Sequence, residues 1–273
     1  LLDSRSKVVN QNLKGNIFLN GQGQFQDVDY LIVTPAFLRA QAEKLANFHR
    51  SYSQLNVKVV LLEDIYQEFG SGKQDIGAIR NFIKYVYFNA SADDKKVKYV
   101  NLFGDASFDF KNRVSIASNI VPIYHALNSL TVDPSSFASD DYFVFMDSNE
   151  GNLDVNYPQK AGLVDIAVGR MIASTTTQAD ELVNKVIDYY DVKSYGNWRN
   201  NIVVVADDTD KESDLSLQSN INSLAETIVA EKPFLNYEKI LLDSYVQETS
   251  AGGSRYPKAR KDLFDFFEKG ALV

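Results

Sequence analysis

The chain has 273 residues, 45% of them hydrophobic and 23% charged, which is typical of a globular protein with one large domain or two medium ones. Its formal net charge of −8 argues against the basic surface that nucleic-acid binding requires, so we expect no DNA or RNA partner. No apolar run approaches the roughly 18 residues that span a bilayer, and the amino end has neither an initiator Met nor a signal-peptide pattern. We therefore expect a piece of a longer protein, with no transmembrane segment in this chain.

In chain order, the first part alternates short β-branched runs with helical patterns, which predicts a mostly parallel sheet covered by helices. Asp75 precedes a regular apolar stripe and is predicted to cap its helix. The predicted elements are strand DYLIVTP, helix PAFLRAQAEKLANFHRS, strand VKVVLLED, helix QDIGAIRNFIKYVYFN and strand VKYVNLFGD. Together they make one βαβαβ unit.

A turn-rich stretch follows, in which Asn, Asp, Ser, Gly and Pro cluster and no helical period continues. Its pair Asp140-Asp141 suggests a loop ion site or a solvated acidic turn, and the second is favoured. The segment DSNEGNLD offers Asp147, Asn149 and Asp154 as oxygen ligands for calcium. A β-hairpin turn is favoured there, because the glycine falls one place too early for an EF-hand loop and no bidentate Glu follows. Calcium is the one cofactor that stays open.

The alternation then resumes in strand GLVDIAVGR, helix TTTQADELVNKVIDYYD, strand NIVVVADD, helix SLQSNINSLAETIVAE, strand KILLDS and helix PKARKDLFDFFEKG. Pro257 lies in the first turn of the last helix, Gly270 ends it, and the following ALV is predicted to begin another strand. The fold class is therefore α/β, with two tandem α/β subdomains whose mostly parallel sheets are flanked by helices. We assign residues 1–29 to an N-terminal lead-in, 30–160 to the first subdomain plus a connecting region, and 161–273 to an incomplete second subdomain.

Acidic side chains follow two strands of the second subdomain. Asp207, Asp208 and Asp210 come after NIVVVA, and Asp243 and Ser244 come after KILL. In open α/β sheets the ligand crevice lies beyond the carboxyl ends of the strands, so these residues are expected to share one rim. Helix capping is the alternative role for any one of them.

The chain is poor in catalytic side chains. It contains no cysteine, which excludes a disulfide framework, a thiolate metal site and a cysteine nucleophile within these residues. Its two histidines, His49 and His125, lie far apart in sequence. A histidine-based zinc site or a Ser-His-Asp triad therefore has few residues from which to form.

Several longer phrases resemble the gingipain-type cysteine peptidase domain of the caspase-like clan, and more narrowly its cell-surface sortase of type IX secretion. The resemblance covers the chain from about residue 10 to its end, and the phrases that carry it are YLIVTPAFL, EDIYQEFGSGKQDIGAIRNFIKYVY, VKYVNLFGDASFDFKNR, FASDDYF, VDIAVGRMIASTTTQADELVNKVIDYY, NIVVVADDTD, NYEKILLDSYVQETSAGGSRYPKAR and GALV. Phrases of this length are improbable by chance.

The resemblance implies a caspase-like second subdomain, truncated here, in which a catalytic His follows one strand and a catalytic Cys follows the next. The His would come directly after the strand that begins at Ala271, so we expect both residues after Val273 and none in this chain. The attacking group would be a thiolate that the His helps to generate. Asp207, Asp208, Asp210, Asp243 and Ser244 would border the substrate cleft.

The implied function is that of an endopeptidase and transpeptidase. It would remove the C-terminal targeting domain from secreted cargo of type IX secretion and attach the cargo to the cell surface. The implied partners are these cargo proteins and outer-membrane components of the secretion machinery. Two other interpretations are kept open: a non-catalytic α/β binding module of a cell-surface assembly, and a small-molecule receptor domain with a crevice between its units.

Overall fold

The described residues of the computed structural model form two compact units. The residues that the structure describes are 25–111, 113–114, 118–126, 137–151, 153 and 162–273. Unit 1 ends at Asp188, and unit 2 comprises Tyr189–Val273. Each unit is built on parallel strands with helices packed against them. The predicted class, α/β with mostly parallel sheets flanked by helices, is confirmed.

Unit 1 contains six strands in its described part, four of which form one parallel sheet. They are β1 (Tyr30–Thr34), β2 (Val57–Leu61), β3 (Tyr99–Phe103), β4 (Tyr124–His125), β5 (Ala138–Ser139) and β6 (Ala167–Met171). The sheet order is β2-β1-β3-β6, while β4 and β5 pair separately as a short antiparallel ribbon. Since the chain adds β2 on one side of β1 and β3 on the other, the strand order reverses between β1 and β3.

Helices cover both faces of this sheet. They are α1 (Arg39–Ser51), α2 (Leu62–Phe69), α3 (Ile76–Phe88) and α4 (Thr176–Tyr190). Successive side chains of β1 point to opposite faces, so Leu31 and Val33 pack in one apolar core with α2 and α3. Ile32 packs in a second core with α1 and α4. Burial on both faces explains why the strand sequences read as continuous apolar runs instead of alternating with polar residues.

The boundary between the subdomains differs from the one that the sequence pattern indicates. The periodicity assigns residues 161–188 to the second subdomain, yet β6 pairs in parallel with β3, from Ala167 opposite Tyr99 to Met171 opposite Phe103. The described part of this stretch, residues 162–188, therefore lies in unit 1. The pattern of a strand does not specify which sheet it joins, and that is why the periodicity groups it with the elements that follow.

Two local predictions also differ from the structure. The strand predicted to run through Asp64 ends at Leu61, and α2 begins at once. Its first turn carries Glu63 and Asp64, whose negative charges are favourable at a helix N-terminus. Residues 148–149 form the predicted turn, but no strand is present within 140–151, so the described part shows no hairpin there.

Asp140 is not on a solvated acidic turn, because its carboxylate is held by Arg170 of β6. The guanidinium donates through Nε to Oδ2 at 2.9 Å and through Nη2 to Oδ1 at 2.7 Å. It also donates to the carbonyl oxygens of Gly104, Val121 and Pro122, at 2.9, 2.7 and 3.3 Å. This one side chain thus ties the end of β3, the stretch before β4 and the stretch after β5 to the sheet.

The predicted cap of α3 is present. Asp75 has an extended backbone, and its Oδ1 accepts the Gly77 backbone N–H at 2.8 Å. An Asp75→Ala variant is expected to lose about 1 kcal/mol of unfolding free energy, because one of the first N–H groups of the helix loses its acceptor. Asp75→Asn, which keeps the acceptor oxygen, should stay within a few tenths of a kcal/mol of the native chain in urea denaturation. Equal losses in both variants would contradict the capping role.

Unit 2 has a smaller parallel arrangement. Its elements are β7 (Asn201–Ala206), α5 (Leu215–Glu231), β8 (Asn236–Leu241), β9 (Glu248–Ser250), β10 (Gly253–Arg255) and α6 (Pro257–Lys269). Strands β7 and β8 pair in parallel, whereas β9 and β10 form an antiparallel hairpin. As predicted, Pro257 occupies the first turn of α6 and Gly270 follows its end. No helix in the described ranges has both the length and the apolarity to cross a membrane.

Residues 271–273, predicted to begin a strand, do not form one, although two backbone hydrogen bonds join them to β7. The Leu272 N–H donates to the Asn201 carbonyl at 2.8 Å, and the Val203 N–H donates to the Val273 carbonyl at 2.9 Å. Because backbone groups alternate between the two edges of a strand, these bonds place residues 272–273 on the edge of β7 that does not face β8. The residue number rises from 201 to 203 along β7 as it rises from 272 to 273 along the last segment, so the segment runs parallel to β7.

Candidate functional site

The predicted rim residues of unit 2 follow two paired strands. Because β7 and β8 are parallel, with Ala206 opposite Leu241, their carboxyl ends lie at the same edge. Asp207 and Asp208 come directly after β7, and Asp243 lies on the short 3₁₀ turn after β8. The edge of this two-stranded arrangement therefore carries carboxylates from both connections.

Thr209 links the two connections. Its backbone N–H donates to Asp243 Oδ1 at 3.1 Å, and its hydroxyl donates to Oδ2 at 2.8 Å. These two bonds, the backbone one first, hold the pKa of the Asp243 carboxyl below its usual value because they stabilise the ionised form. Asp243 thus stays charged while it fixes the distance between the two loops.

Asp208 has partners that the sequence did not indicate. The Tyr256 hydroxyl, just before α6, donates to Asp208 Oδ2 at 2.7 Å. The Gln247 amide nitrogen reaches the same oxygen at 3.4 Å and the Tyr256 hydroxyl oxygen at 3.0 Å. The hydrogen bond to Asp208 raises the pKa of Tyr256 to about 12, and burial adds to the effect, because ionising the phenol would place two negative charges together.

An Asp208→Asn variant is expected to return the pKa of Tyr256 toward the usual value of about 10. The substitution keeps an acceptor oxygen but removes the charge that opposes ionisation. A ¹³C NMR titration of the Tyr256 ring measures the change. Asp210→Asn is the matched control, since it removes a charge from the same loop at an exposed residue. An unchanged pKa of Tyr256 in Asp208→Asn would contradict the assigned contact.

The other predicted rim residues have local roles. The Asp207 carboxylate accepts the Asp208 N–H at 3.1 Å, and the Asp207 carbonyl accepts the Gln218 side-chain amide at 3.1 Å. The Ser244 hydroxyl donates to the Leu241 carbonyl at 2.7 Å, which commits it to the turn after β8. Asp210 is exposed. Of the five, Asp208 and Asp243 are therefore the two that connect separate segments of the rim.

Sequence patterns missed Thr209, Gln247 and Tyr256 as members of this cluster. The one available signal was the dipeptide Tyr256-Pro257, because a proline at the first turn of a helix fixes where the preceding residue lies. The arrangement offers hydrogen-bond acceptors and a phenol hydroxyl to a polar ligand such as a peptide backbone. It holds no nucleophile of the thiol class, since the chain has no cysteine.

Both histidines lie in unit 1. His49 Nδ1 is 3.0 Å from the Ser53 hydroxyl oxygen, and its ring packs edge-on against Tyr30, with ring centroids 5.4 Å apart. Burial lowers the pKa of His49. His125 Nε2 is 3.3 Å from the Ser107 carbonyl oxygen, which can only accept, so this nitrogen is the donor.

The calcium candidates are only partly described. Asp147 and Asn149 are exposed on the turn, where the Asp147 N–H donates to the Glu150 carboxylate at 3.2 Å. Asp154 lies outside the described residues. Within the described ranges, no three His, Cys, Asp or Glu side chains come close enough together to hold a metal ion. Calcium binding in this region stays a prediction.

Comparisons with known proteins identify the family. PorU from Porphyromonas gingivalis, solved as a latent dimer, is 26% identical with a TM-score of 0.53; the match covers 64% of this chain and 17% of that one. A second solved structure, of a protease, is 13% identical with a TM-score of 0.46, covering 67% of this chain and 33% of that one, a likeness too low to carry weight. No curated protein matches. The model of peptidase family C25 matches residues 24–273, so the chain belongs to this family, the gingipain family of cysteine peptidases.

Proposed function

We propose that the chain is the N-terminal part of a gingipain-like cysteine endopeptidase that also acts as a transpeptidase on secreted proteins. The observation that carries the proposal is the family match over residues 24–273, together with the likeness to PorU over 64% of the chain. The chain spans 17% of the length of that PorU chain, so the activity belongs to a longer protein. The family consists of cysteine peptidases, and these residues include no cysteine, so the proposed nucleophile is a cysteine elsewhere in that protein.

The backbone bonds of residues 272–273 to β7 support a proposed place for the catalytic residues. This segment runs parallel to β7, so a continuation past Val273 leads toward the carboxyl end of β7, where Asp207 and Asp208 lie. A general-base His after this segment, and a Cys after the next strand, would then stand at the rim. The His would help to form the thiolate and would protonate the leaving amine, and the Cys would carry the acyl group as a thioester.

In this mechanism the rim residues bind and orient the peptide. Asp208 and Asp243 are held by Tyr256 and Thr209, so their carboxylates are already ordered before substrate arrives. Ordered acceptors reduce the conformational entropy lost on binding. Asp207, Asp210 and Ser244 border the same edge and complete the proposed substrate-cleft rim.

The proposed substrates are type IX secretion cargo proteins, from which the enzyme removes the C-terminal targeting domain before it transfers the new carboxyl end to a surface acceptor. Transfer requires that an amine reaches the thioester before water does. The proposed location is the outer face of the outer membrane, with outer-membrane components of the secretion machinery as partners. The support for this role is the likeness to PorU.

The test uses the protein extended beyond Val273 and a thiol-reactive peptidyl electrophile. We expect stoichiometric labelling of one cysteine, mapped by mass spectrometry, and loss of labelling when the His that follows the ALV segment is replaced. Asp208→Ala and Asp243→Ala should then slow peptide turnover, whereas Asp265→Ala, on α6, should not. A folded protein in which no cysteine is labelled would favour a non-catalytic binding module. Unchanged turnover in both rim variants would remove these residues from the cleft.

A further inference from the structure

Unit 1 contains an open pocket with a volume of about 580 Å³. It is lined by Gln74, Asp75, Ile76, Phe110, Lys111, Pro122, Ile123 and His125. This volume falls in the range of about 300–1,000 Å³ that is usual for small-molecule sites. None of these residues belongs to the rim in unit 2.

The pocket lies where an open α/β sheet normally binds ligands. Helix α3 leads into β3, so its first residue, Ile76, and the preceding Gln74 and Asp75 are at the carboxyl edge of the sheet. Phe110 and Lys111 belong to the connection that leaves the carboxyl end of β3. The strand order reverses between β1 and β3, and ligands of open sheets bind beyond the carboxyl ends at such a switch point.

The walls of the pocket are largely apolar. Ile76, Phe110, Pro122 and Ile123 contribute hydrocarbon surface, and the Phe110 side chain is 59% exposed. When an apolar group displaces the water between an exposed phenyl ring and an aliphatic wall, the free energy of the system falls. The Gln74 side-chain amide donates to the Phe110 carbonyl at 3.4 Å, which ties the loop to the start of α3. The apolar part of a ligand can therefore pack against this wall of the pocket.

The positive charge at the mouth of the pocket favours binding of an anion. The Lys111 ammonium lies 5.3 Å from the centre of the Phe110 ring, and no carboxylate in the described ranges pairs with it. The neighbouring carboxylate of Asp75 is engaged as the cap of α3. Among the described residues, Lys111 is thus a cation without an ion-pair partner beside an apolar wall.

We propose that this pocket is a binding site for an organic carboxylate with an aromatic or branched aliphatic body. The apolar part packs against Phe110 and Ile123, and the carboxylate pairs with Lys111. The site is separate from the peptidase rim and does not depend on the proposed peptidase function.

The probe is N-acetyl-L-phenylalanine, with its neutral amide N-acetyl-L-phenylalaninamide as the matched ligand. In an NMR titration of the 273-residue chain, we expect saturable shifts confined to the amides of the lining residues, with a Kd on the order of 1 mM. The acid is expected to bind about fivefold more tightly than the amide, which is the effect of one solvent-accessible ion pair. Equal affinity for the two, shifts outside the pocket or the absence of saturable shifts would overturn the proposal.

Three variants separate the contributions. Lys111→Met should make the acid and the amide bind equally, while Lys95→Met, which removes an exposed lysine elsewhere in unit 1, should leave the preference intact. Ile123→Trp fills the pocket and should abolish binding of both ligands. If Ile123→Trp does not fold, the comparison of Lys111→Met with Lys95→Met still decides, because both substitutions are at exposed residues. If Lys111→Met still binds the acid about fivefold more tightly than the amide, Lys111 does not pair with the ligand carboxylate.

Discussion

An Arg170→Met variant is expected to lose about 3–5 kcal/mol of the unfolding free energy of unit 1. The Arg170 side chain is 9% exposed and that of Asp140 is 19% exposed. Removing the guanidinium leaves a poorly hydrated carboxylate without its partner. It also leaves the carbonyls of Gly104, Val121 and Pro122 without this donor. The total stays in this range because water that enters beside the smaller methionine can hydrogen-bond these groups in place of the guanidinium.

The measurement is urea denaturation followed by circular dichroism. The fluorescence of the single tryptophan, Trp198, follows unfolding of unit 2 in the same samples. Arg170→Lys should be intermediate, since an ammonium cannot form the two parallel bonds to Asp140. The double variant Arg170→Met with Asp140→Leu should recover part of the loss, because it removes the unpaired charge. Arg39→Met, at an exposed residue, should stay within about 0.5 kcal/mol of the native chain. If Arg170→Met loses no more unfolding free energy than Arg39→Met, the ion pair between Arg170 and Asp140 does not stabilise unit 1.

Local patterns were enough to predict most elements of the fold. The strand at β1, the cap of α3 by Asp75 and the limits of α6 between Pro257 and Gly270 each depend on neighbouring residues, and each matches the structure. Pairing between distant segments is different. Arg170, the last residue of the predicted strand GLVDIAVGR, gave no indication that its partner is Asp140, 30 residues earlier. For the same reason the sequence did not place β6 beside β3.

The candidate site shows the same division. That Asp208 and Asp243 lie at one edge follows from two strands in a parallel sheet, which the sequence supports. That Asp208 binds Tyr256, and Asp243 binds Thr209, depends on the paths of loops that have no periodic pattern. The pocket of unit 1 is a further case, since its walls come from the start of α3, the connection after β3 and the stretch that leads into β4. The residues of these three segments had no sequence signal that they would meet.

A Gly270→Ala variant is expected to lose about 3 kcal/mol of the unfolding free energy of unit 2. Gly270 has a φ of 85° and a ψ of 136°, a region that costs a residue with a side chain about 1–3 kcal/mol. A Cβ at this position would also stand 2.6 Å from the Cβ of Trp198, so the backbone has to shift. The Gly270 carbonyl accepts the Asn201 side-chain amide at 3.0 Å, and residues 272–273 bond to β7. A shift at Gly270 therefore weakens the segment that lies beside β7.

Gly253→Ala separates the two causes within the same unit. Gly253 also has a positive φ, 97°, but a Cβ there would meet no atom within 4 Å. It should lose about 1 kcal/mol, from backbone strain alone. Trp198 fluorescence during urea denaturation reports both variants, and its emission should itself change in the native state of Gly270→Ala because the indole has to move. Equal unfolding free energies of the two variants would show that the Trp198 side chain can move away from the new methyl group at position 270 without destabilising unit 2. A larger loss in Gly270→Ala, with a shifted emission maximum, would establish that packing of Trp198 against Gly270 positions residues 271–273 beside β7.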